Sequence, residues 1–278
     1  MTHSKTYAAH LDAAQAQNAR IYGPSPTGDA WGGASARQFR FDPHRDLDRN
    51  MEVIASYVGP EDVVIDVGGG AGRVCLPLAL KCKKTLNVEP SPGMGAEFES
   101  LAQEAGIRNA HLVPSSLAEA QAPQGDISFT ADVTYFVRDI SSFIRQMEAA
   151  ASRRVMITIW SEPPPNRRSK LFQLVYGEDQ AALPGQAQLL PVLWDMGILP
   201  DVQVMPESPW WENQLPPTRE EAIKMVVEDR VIKPDDRERA QSVFETHFDE
   251  LFTPREVGFV PQWREEMREV LITWETGG

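Results

Sequence analysis

The sequence predicts an α/β fold built on a doubly wound, mostly parallel sheet. Short apolar runs alternate with amphipathic stretches over residues 46–160, which is the pattern of strands that alternate with helices. One apolar run, Val63–Val67, leads directly into a glycine-rich turn that opens a helix. With 278 residues, 42% of them hydrophobic, the chain is long enough to bury a sizeable core without disulfides or metals.

We expect three segments along the chain. Residues 1–45 form an N-terminal arm or lid, with a short helix and then a loop whose aromatic residues, among them Trp31 and Phe39, pack back on the domain. Residues 46–162 form the α/β core, which contains the glycine-rich turn. Residues 163–278 supply helical lid elements and the last two strands of the sheet.

The core begins with an amphipathic helix and continues with alternating strands and helices. Leu47, Met51 and Ile54 share one face of a helix over 46–58. A helix is predicted over 73–83, where Pro77 favours a kink unless the helix begins late. After Val63–Val67, the predicted core strands are Thr85–Glu89, Ala110–Val113, Asp126–Phe129 and Arg154–Trp160.

Capping residues predict where several helices begin. Ser91 is suited to be an N-cap with Pro92 at the first helical position, and Asp139 caps the helix that precedes the fifth strand. Residues 218–221 read Thr-Arg-Glu-Glu, a capping-box pattern that opens a later helix. The last two strands are predicted over 201–205 and 268–274, with helices inserted between them.

The glycine-rich turn carries the strongest functional signal. It reads Asp66-x-Gly68-x-Gly70-x-Gly72, and glycine there permits a positive φ and a close approach of a ligand to the backbone. A dinucleotide fingerprint requires its third glycine at position 73, where this chain has Arg73. The turn therefore departs from the nicotinamide-binding pattern.

An acidic residue ends the second predicted strand. Glu89 can accept hydrogen bonds from both ribose hydroxyls of an adenosine ligand. The glycine turn together with Val88-Glu89-Pro90-Ser91-Pro92-Gly93-Met94 resembles motif I and the following acidic motif of the class I S-adenosylmethionine-dependent methyltransferases. This resemblance covers roughly residues 45–160 and predicts the Rossmann-like methyltransferase fold.

The resemblance implies S-adenosylmethionine as the cofactor. In that family Met94 would border the adenine, and the residues after the fourth strand would line the methionine portion. Ser116 and Leu117 stand where the family usually has an acid near the adenine amine. The cofactor-binding residues expected on this basis are Asp66, Gly68, Gly70, Gly72, Glu89, Met94, Ser116, Leu117 and Ala131.

The predicted function is methyl transfer, by direct displacement, to a small or medium-sized acceptor that is apolar or aromatic in part. Tyr135 follows the fourth strand and Trp160 ends the fifth strand, so we expect both to contact the acceptor. Tyr135 and Asp132 are candidates to orient the acceptor or take a proton, but no catalytic residue is assigned. Further aromatic residues that could roof this pocket are Trp31, Trp194, Trp210, Trp211 and Trp263.

Two other functions remain open on the sequence. One is an NAD-dependent oxidoreductase, and the other is a non-catalytic protein that binds S-adenosylmethionine. The chain has no Gly-x-Ser-x-Gly elbow and no Walker A motif, which disfavours an esterase or a nucleotide triphosphatase. Its five histidines lack zinc-ligand spacing, so we expect no metal.

Net charge, apolar runs and cysteine content limit the possible partners and the cellular compartment. The net charge of −13 argues against nucleic acid as a partner, because an acidic surface repels phosphates. No apolar run is long enough to span a membrane, and no signal peptide is evident. The two cysteines form no disulfide framework, so we expect a cytoplasmic protein that acts on a small molecule, in an oligomeric state that the sequence leaves open.

Overall fold

The computed structural model describes residues 2–24, 28–120, 123–207, 215–263 and 267–277. Nine strands lie in this part of the chain. They are β1 Val63–Val67, β2 Lys84–Val88, β3 Ala110–Val113, β4 Gly125–Ala131, β5 Ala151–Trp160, β6 Asp201–Val204, β7 Phe252–Arg255, β8 Gly258–Pro261 and β9 Glu269–Glu275.

Eleven α-helices lie in the same described residues. They are α1 His3–Tyr22, α2 Ala34–Arg37, α3 Arg49–Ser56, α4 Cys75–Ala79, α5 Pro92–Glu104, α6 Ile140–Ala150, α7 Ser169–Tyr176, α8 Gln186–Asp195, α9 Arg219–Val227, α10 Arg237–Thr246 and α11 Phe248–Leu251.

Seven strands form one sheet in the order β3-β2-β1-β4-β5-β9-β6. The first five run parallel to one another, and β9 lies antiparallel between β5 and β6. The chain moves outward from β1 to β3 and then crosses to β4 on the other side of β1. The predicted doubly wound, mostly parallel α/β fold is confirmed.

Successive residues of the central strands face opposite sides of the sheet, and each side has its own apolar core. Ile65 of β1 packs in a core with residues of α1, α6 and α8, whereas its neighbour Val64 packs with residues of α3 and α4. Tyr7 of α1 is fully buried, and its hydroxyl donates to the Thr134 carbonyl at 2.7 Å. The N-terminal helix is therefore a structural part of the sheet's core.

A separate cluster, which we call the second core, packs α7, α9, α10 and α11 against the β7–β8 hairpin. Its largest buried side chains include Phe172, Phe244, Phe248 and Phe252. It shares no buried side chain with the core of the sheet. The predicted helical insertion before the last strand thus has an apolar interior of its own.

The predicted caps are present. The Ser91 hydroxyl accepts from the Met94 amide at 3.1 Å, and the Asp139 carboxylate accepts from the Ser142 amide at 3.1 Å. Thr218 caps α9 in the same way, through the amide of Glu221 at 3.1 Å. Each side chain satisfies one of the N–H groups that a helix start leaves unpaired.

Three details differ from the sequence-based expectation. The first helix is not short: α1 has 20 residues. The helix after the glycine turn begins late, at Cys75, so Pro77 lies in its first turn and no kink is needed. The β7–β8 hairpin was not predicted, because its strands are four residues long and Pro254 and Pro261 interrupt the strand pattern.

No helix in the described part of the chain combines the length and the apolar character needed to cross a bilayer.

Candidate functional site

A cavity of about 1150 Å³ opens at the carboxyl ends of β1, β2 and β4. It lies where the connections from β1 and β4 leave the sheet in opposite directions, the position at which open α/β sheets bind ligands. A single small ligand commonly occupies about 300–1000 Å³. The cavity can therefore hold a cofactor together with a second small molecule.

The glycine turn forms the floor of this cavity. Gly68, Gly70 and Gly72 have φ values of +72°, +56° and +90°, a region that residues with a side chain rarely adopt. A Cβ on Gly70 would meet only the Met94 Sδ, at 3.6 Å, so the space above it is open. A Cβ on Gly72 would lie 2.7 Å from Leu76, and Gly72 does not line the cavity. Gly70 thus faces the cavity, whereas Gly72 allows tight packing.

Glu89 joins the glycine turn to the start of α5. Its Oε2 accepts from the Gly70 amide at 2.9 Å and its Oε1 accepts from the Ser91 amide at 2.8 Å. Burial raises the pKa of Glu89, and the two amide donors partly offset that rise. Each carboxylate oxygen can accept a further hydrogen bond. The side chain lines the cavity and is held ready for two hydroxyl donors.

Asp66 lies at the end of β1 with only 1% of its surface exposed. Its carboxylate accepts no side-chain hydrogen bond and faces the backbone amide of Cys75, and the Oδ1 of Asn87 has no hydrogen-bond partner. A Cβ on Gly69 would lie 2.5 Å from Asp66 Oδ2 and 2.6 Å from Asn87 Oδ1, so both oxygens lie against the glycine turn. Burial raises the pKa of Asp66 to about 7, and Arg73 opposes the rise. A cationic donor would satisfy these oxygens.

Asp132 follows β4 with a φ of +60°, and it is the one residue other than glycine with a positive φ in the described ranges. Its Oδ1 accepts from the Tyr135 hydroxyl at 3.0 Å, and its Oδ2 lies 3.3 Å from the Arg73 Nη2. The Trp160 side chain also hydrogen-bonds the carboxylate. Burial raises the pKa of Asp132, and these donors act against the rise.

Tyr135 and Trp160 do not line the cavity. Both are buried, with 2% and 6% exposure, and the Tyr135 hydroxyl accepts from the Trp160 amide at 2.8 Å. Their side chains instead contact Asp132 from behind. The aromatic residue that reaches the cavity after β4 is Phe136, which is 53% exposed. Residue type alone does not show which of the two adjacent rings, Tyr135 or Phe136, faces the opening.

The N-terminal arm reaches the same cavity through Asp29. Its carboxylate accepts from the Ser91 hydroxyl and from the Gly93 amide, each at 2.8 Å. These donors hold the pKa of Asp29 below its usual range. Asp29 was not predicted as a site residue, because nothing in its local sequence marks an acid that will reach a helix start 62 residues away.

An exposed aromatic group lies at the mouth of the cavity. The Trp31 ring centroid lies 6.0 Å from that of Phe39 and 6.4 Å from that of Phe136, in edge-to-face arrangements. All three residues line the cavity. The arm thus supplies apolar surface at the position where a second ligand would enter.

The other predicted site residues divide between the cavity and the rest of the fold. Met94, Ser116, Leu117 and Ala131 all line the cavity, as do Asp66, Gly68, Gly70 and Glu89. Trp194 is exposed on α8, and Trp263 packs in the second core with its ring 5.1 Å from that of Phe252. Trp210 and Trp211 lie outside the described residues. Of the residues described, none after Gln146 lines the cavity.

No group of three or more metal-ligating side chains occurs among the residues that the structure describes.

Comparisons with known proteins find similarity in structure rather than in sequence. No protein-family model matches the chain, and no curated protein matches it in sequence. The YcgJ protein of Bacillus subtilis is similar in structure, with a TM-score of 0.54, 14% identity, and coverage of 82% of this chain and 98% of that one.

Two further solved structures cover most of both chains. A geranyl diphosphate methyltransferase in complex with S-adenosylmethionine gives a TM-score of 0.50 and 14% identity, over 90% of this chain and 93% of that one. The [4+2]-cyclase SpnF gives a TM-score of 0.53 and 14% identity, over 99% and 96%. The strand order and these similarities agree: the chain has the fold of the class I S-adenosylmethionine-dependent methyltransferases.

Proposed function

We propose that the chain is an S-adenosylmethionine-dependent methyltransferase that acts on a small or medium-sized acceptor, apolar or aromatic in part. The observation that carries the proposal is the carboxylate of Glu89, which is tied to the Gly70 amide at 2.9 Å while it lines the cavity. A buried acid at this strand end can hold the two ribose hydroxyls of an adenosine ligand. The methyltransferase of the same fold whose structure contains S-adenosylmethionine supports the choice of cofactor.

The residues present fit this cofactor. Glu89 would hold the ribose, and the open surface of Gly70 would accept the cofactor chain without a collision. Asp66, which lines the cavity, would accept a hydrogen bond from the ammonium group of the methionine portion. Met94, Ser116 and Leu117 line the side of the cavity beyond Glu89, where the adenine would lie, and Gly68 and Ala131 line the side toward β4.

S-adenosylmethionine would supply a methyl group on a cationic sulfur. What the chain must add is orientation, because direct displacement requires the acceptor atom in line with the methyl carbon at near-attack distance. The rim formed by Trp31, Phe39 and Phe136 offers an apolar surface that can hold an acceptor in place. We propose that the arm, residues 1–45, covers the bound cofactor and excludes water from it. The proposed division of the chain into three segments is completed by the cofactor-binding α/β core at 46–162 and by residues 163–278, which supply helical lid elements and the last two strands.

Calorimetric titration tests the proposal against its two rivals. We expect S-adenosylmethionine and S-adenosylhomocysteine to bind one per chain, and NADH not to bind, since Arg73 replaces the third glycine of the dinucleotide pattern. Binding of NADH alone would favour the oxidoreductase. Methyl-labelled cofactor incubated with cell extracts then separates an enzyme from a non-catalytic binding protein, because only the enzyme transfers the label.

A further inference from the structure

Building on the proposed function, we propose that Asp132 faces the reacting centre and contacts the acceptor, which presents an N–H or O–H group to this carboxylate. Asp132 would thus be a catalytic residue at the end of β4. The proposal names both a residue and a class of acceptor, an amine or a hydroxyl compound.

The backbone and the surrounding donors fix this carboxylate in place. A φ of +60° is costly for a residue with a side chain and persists only where the surroundings enforce it. Here Tyr135 donates to one oxygen at 3.0 Å and Arg73 lies 3.3 Å from the other, while the Trp160 side chain adds a third hydrogen bond. Two buried aromatic residues are thus used to position one acid at the cavity wall.

Asp132 differs from the other acids of the cavity in what it binds. Five acids line the described part of the cavity, with Arg73 as the single basic residue. Glu89 is engaged by two backbone amides, Asp29 holds the start of α5, and Asp139 caps α6. The fifth acid, Asp66, is only 1% exposed. The Asp132 side chain keeps 31% of its surface exposed. It accepts from Tyr135 and Trp160, which lie behind it, and from Arg73, which lines the cavity. The carboxylate itself lines the cavity and keeps acceptor capacity for a ligand there.

The strand order separates Asp132 from Glu89 by two strand positions. The two acids follow β2 and β4, which lie on either side of β1. Two strand spacings separate these ends by about 10 Å. A ribose held by Glu89 and the group on its 5′ carbon span about that distance. The end of the cofactor that reacts would therefore lie over β4.

The methyl-transfer step that this geometry supports needs no reactant other than the cofactor and the acceptor. A lone pair of the acceptor nitrogen or oxygen attacks the methyl carbon, the carbon–sulfur bond breaks, and its electron pair stays on sulfur. The proton of the N–H or O–H group passes to the Asp132 carboxylate and then to solvent. Burial raises the pKa of Asp132, which makes it a better proton acceptor than an exposed aspartate. A carboxylate or phosphate acceptor would be repelled at this position.

The test compares two ligands that differ only at the reacting centre. S-adenosylmethionine and S-adenosylhomocysteine share the adenine, ribose, ammonium and carboxylate, and only the former has the methyl group and its positive charge. We expect Asp132→Asn to lower the preference for the charged ligand about three- to tenfold in calorimetric titrations, because one charge–charge interaction is lost. Asn tolerates this φ better than most residues, and Asp132→Gly, which suits it fully, serves as the second variant.

Asp139→Asn is the matched control. It removes the same charge from the same cavity wall and keeps a good helix cap, so the ratio of the two affinities should not change. If Asp132→Asn weakens both ligands equally, or neither, Asp132 does not face the reacting centre. If the unmodified protein binds neither ligand, the proposed function itself is wrong. A labelled product methylated on carbon would overturn the assignment of an N–H or O–H acceptor.

Discussion

Glu89→Gln is the sharpest test of the cofactor site, because the substitution preserves shape and changes charge. In the native protein each carboxylate oxygen accepts one backbone amide, at 2.9 Å from Gly70 and 2.8 Å from Ser91. One acceptor position on each oxygen then remains for a ribose hydroxyl. Glutamine keeps one carbonyl oxygen and replaces the other with an NH₂ group, so one of the two charge-assisted hydrogen bonds to the cofactor is lost.

A hydrogen bond to a charged group contributes about 1.5–3 kcal/mol. Since about 1.4 kcal/mol corresponds to a tenfold change in affinity, the cofactor should bind about 10- to 100-fold more weakly to the variant. The free energy of unfolding without cofactor should change little. The hydrogen bond to one backbone amide is lost, and this loss is partly offset because a buried carboxylate, whose pKa burial raises, is replaced by a neutral group.

Calorimetry with S-adenosylhomocysteine measures the affinity, and thermal unfolding measures the stability. Glu104→Gln is the matched control, since Glu104 lies at the other end of α5 and bonds to Arg40 on the surface. An affinity within twofold of the native value in the Glu89 variant would refute the assignment of Glu89. A large loss of stability without cofactor would show instead that its main role is to hold the glycine turn.

Four further substitutions probe the same region. Gly70→Val should abolish cofactor binding and leave a folded protein by circular dichroism, whereas Gly72→Ala should lower the melting temperature, because its Cβ would lie 2.7 Å from Leu76. Burial raises the pKa of Asp66 from 3.8 to about 7, so the folded state binds this proton more tightly than the unfolded chain, and stability should fall as the pH rises from about 4 to 7. Melting curves across that range should show a shallower fall in Asp66→Asn, and an equal slope would contradict the reasoning. Asp29→Ala should loosen the loop of the arm that lies against the start of α5 and speed trypsin cleavage after Arg37, and unchanged cleavage would mean that other contacts, such as those of Arg40 with Glu97 and Glu104, hold it.

The fold could be predicted because its signals are local. Each core strand is a short apolar run, and each predicted cap, such as Ser91 or Asp139, lies within three residues of the amide it satisfies. Glu89 and the glycine turn were predicted to be neighbours for a similar reason. Parallel strands that pair side by side bring their carboxyl ends together whatever the details of the loops.

The rest of the site depends on contacts between distant residues and on side-chain direction. Asp29 reaches Ser91 across 62 residues, and no local pattern encodes that contact. Tyr135 and Phe136 are adjacent aromatic residues, yet one is buried behind Asp132 and the other faces the cavity. The short turn at 134–136 decides which ring points inward, and residue type alone carries no such information.

The separation of the two apolar cores bears on how such a chain can diverge. Substitutions in distant groups that share no contacts have nearly additive effects on stability. Although α1 packs on both cores, through Tyr7 and Ile21, changes around Phe244 and Phe252 should disturb the strand ends beneath the glycine turn less than changes in the core of the sheet. Sequence drift or selection can therefore change the surface of that helical unit to suit a different binding partner, while the cavity at the strand ends is kept. In a mutational scan, the substitutions tolerated in one core should then not depend on the substitutions present in the other.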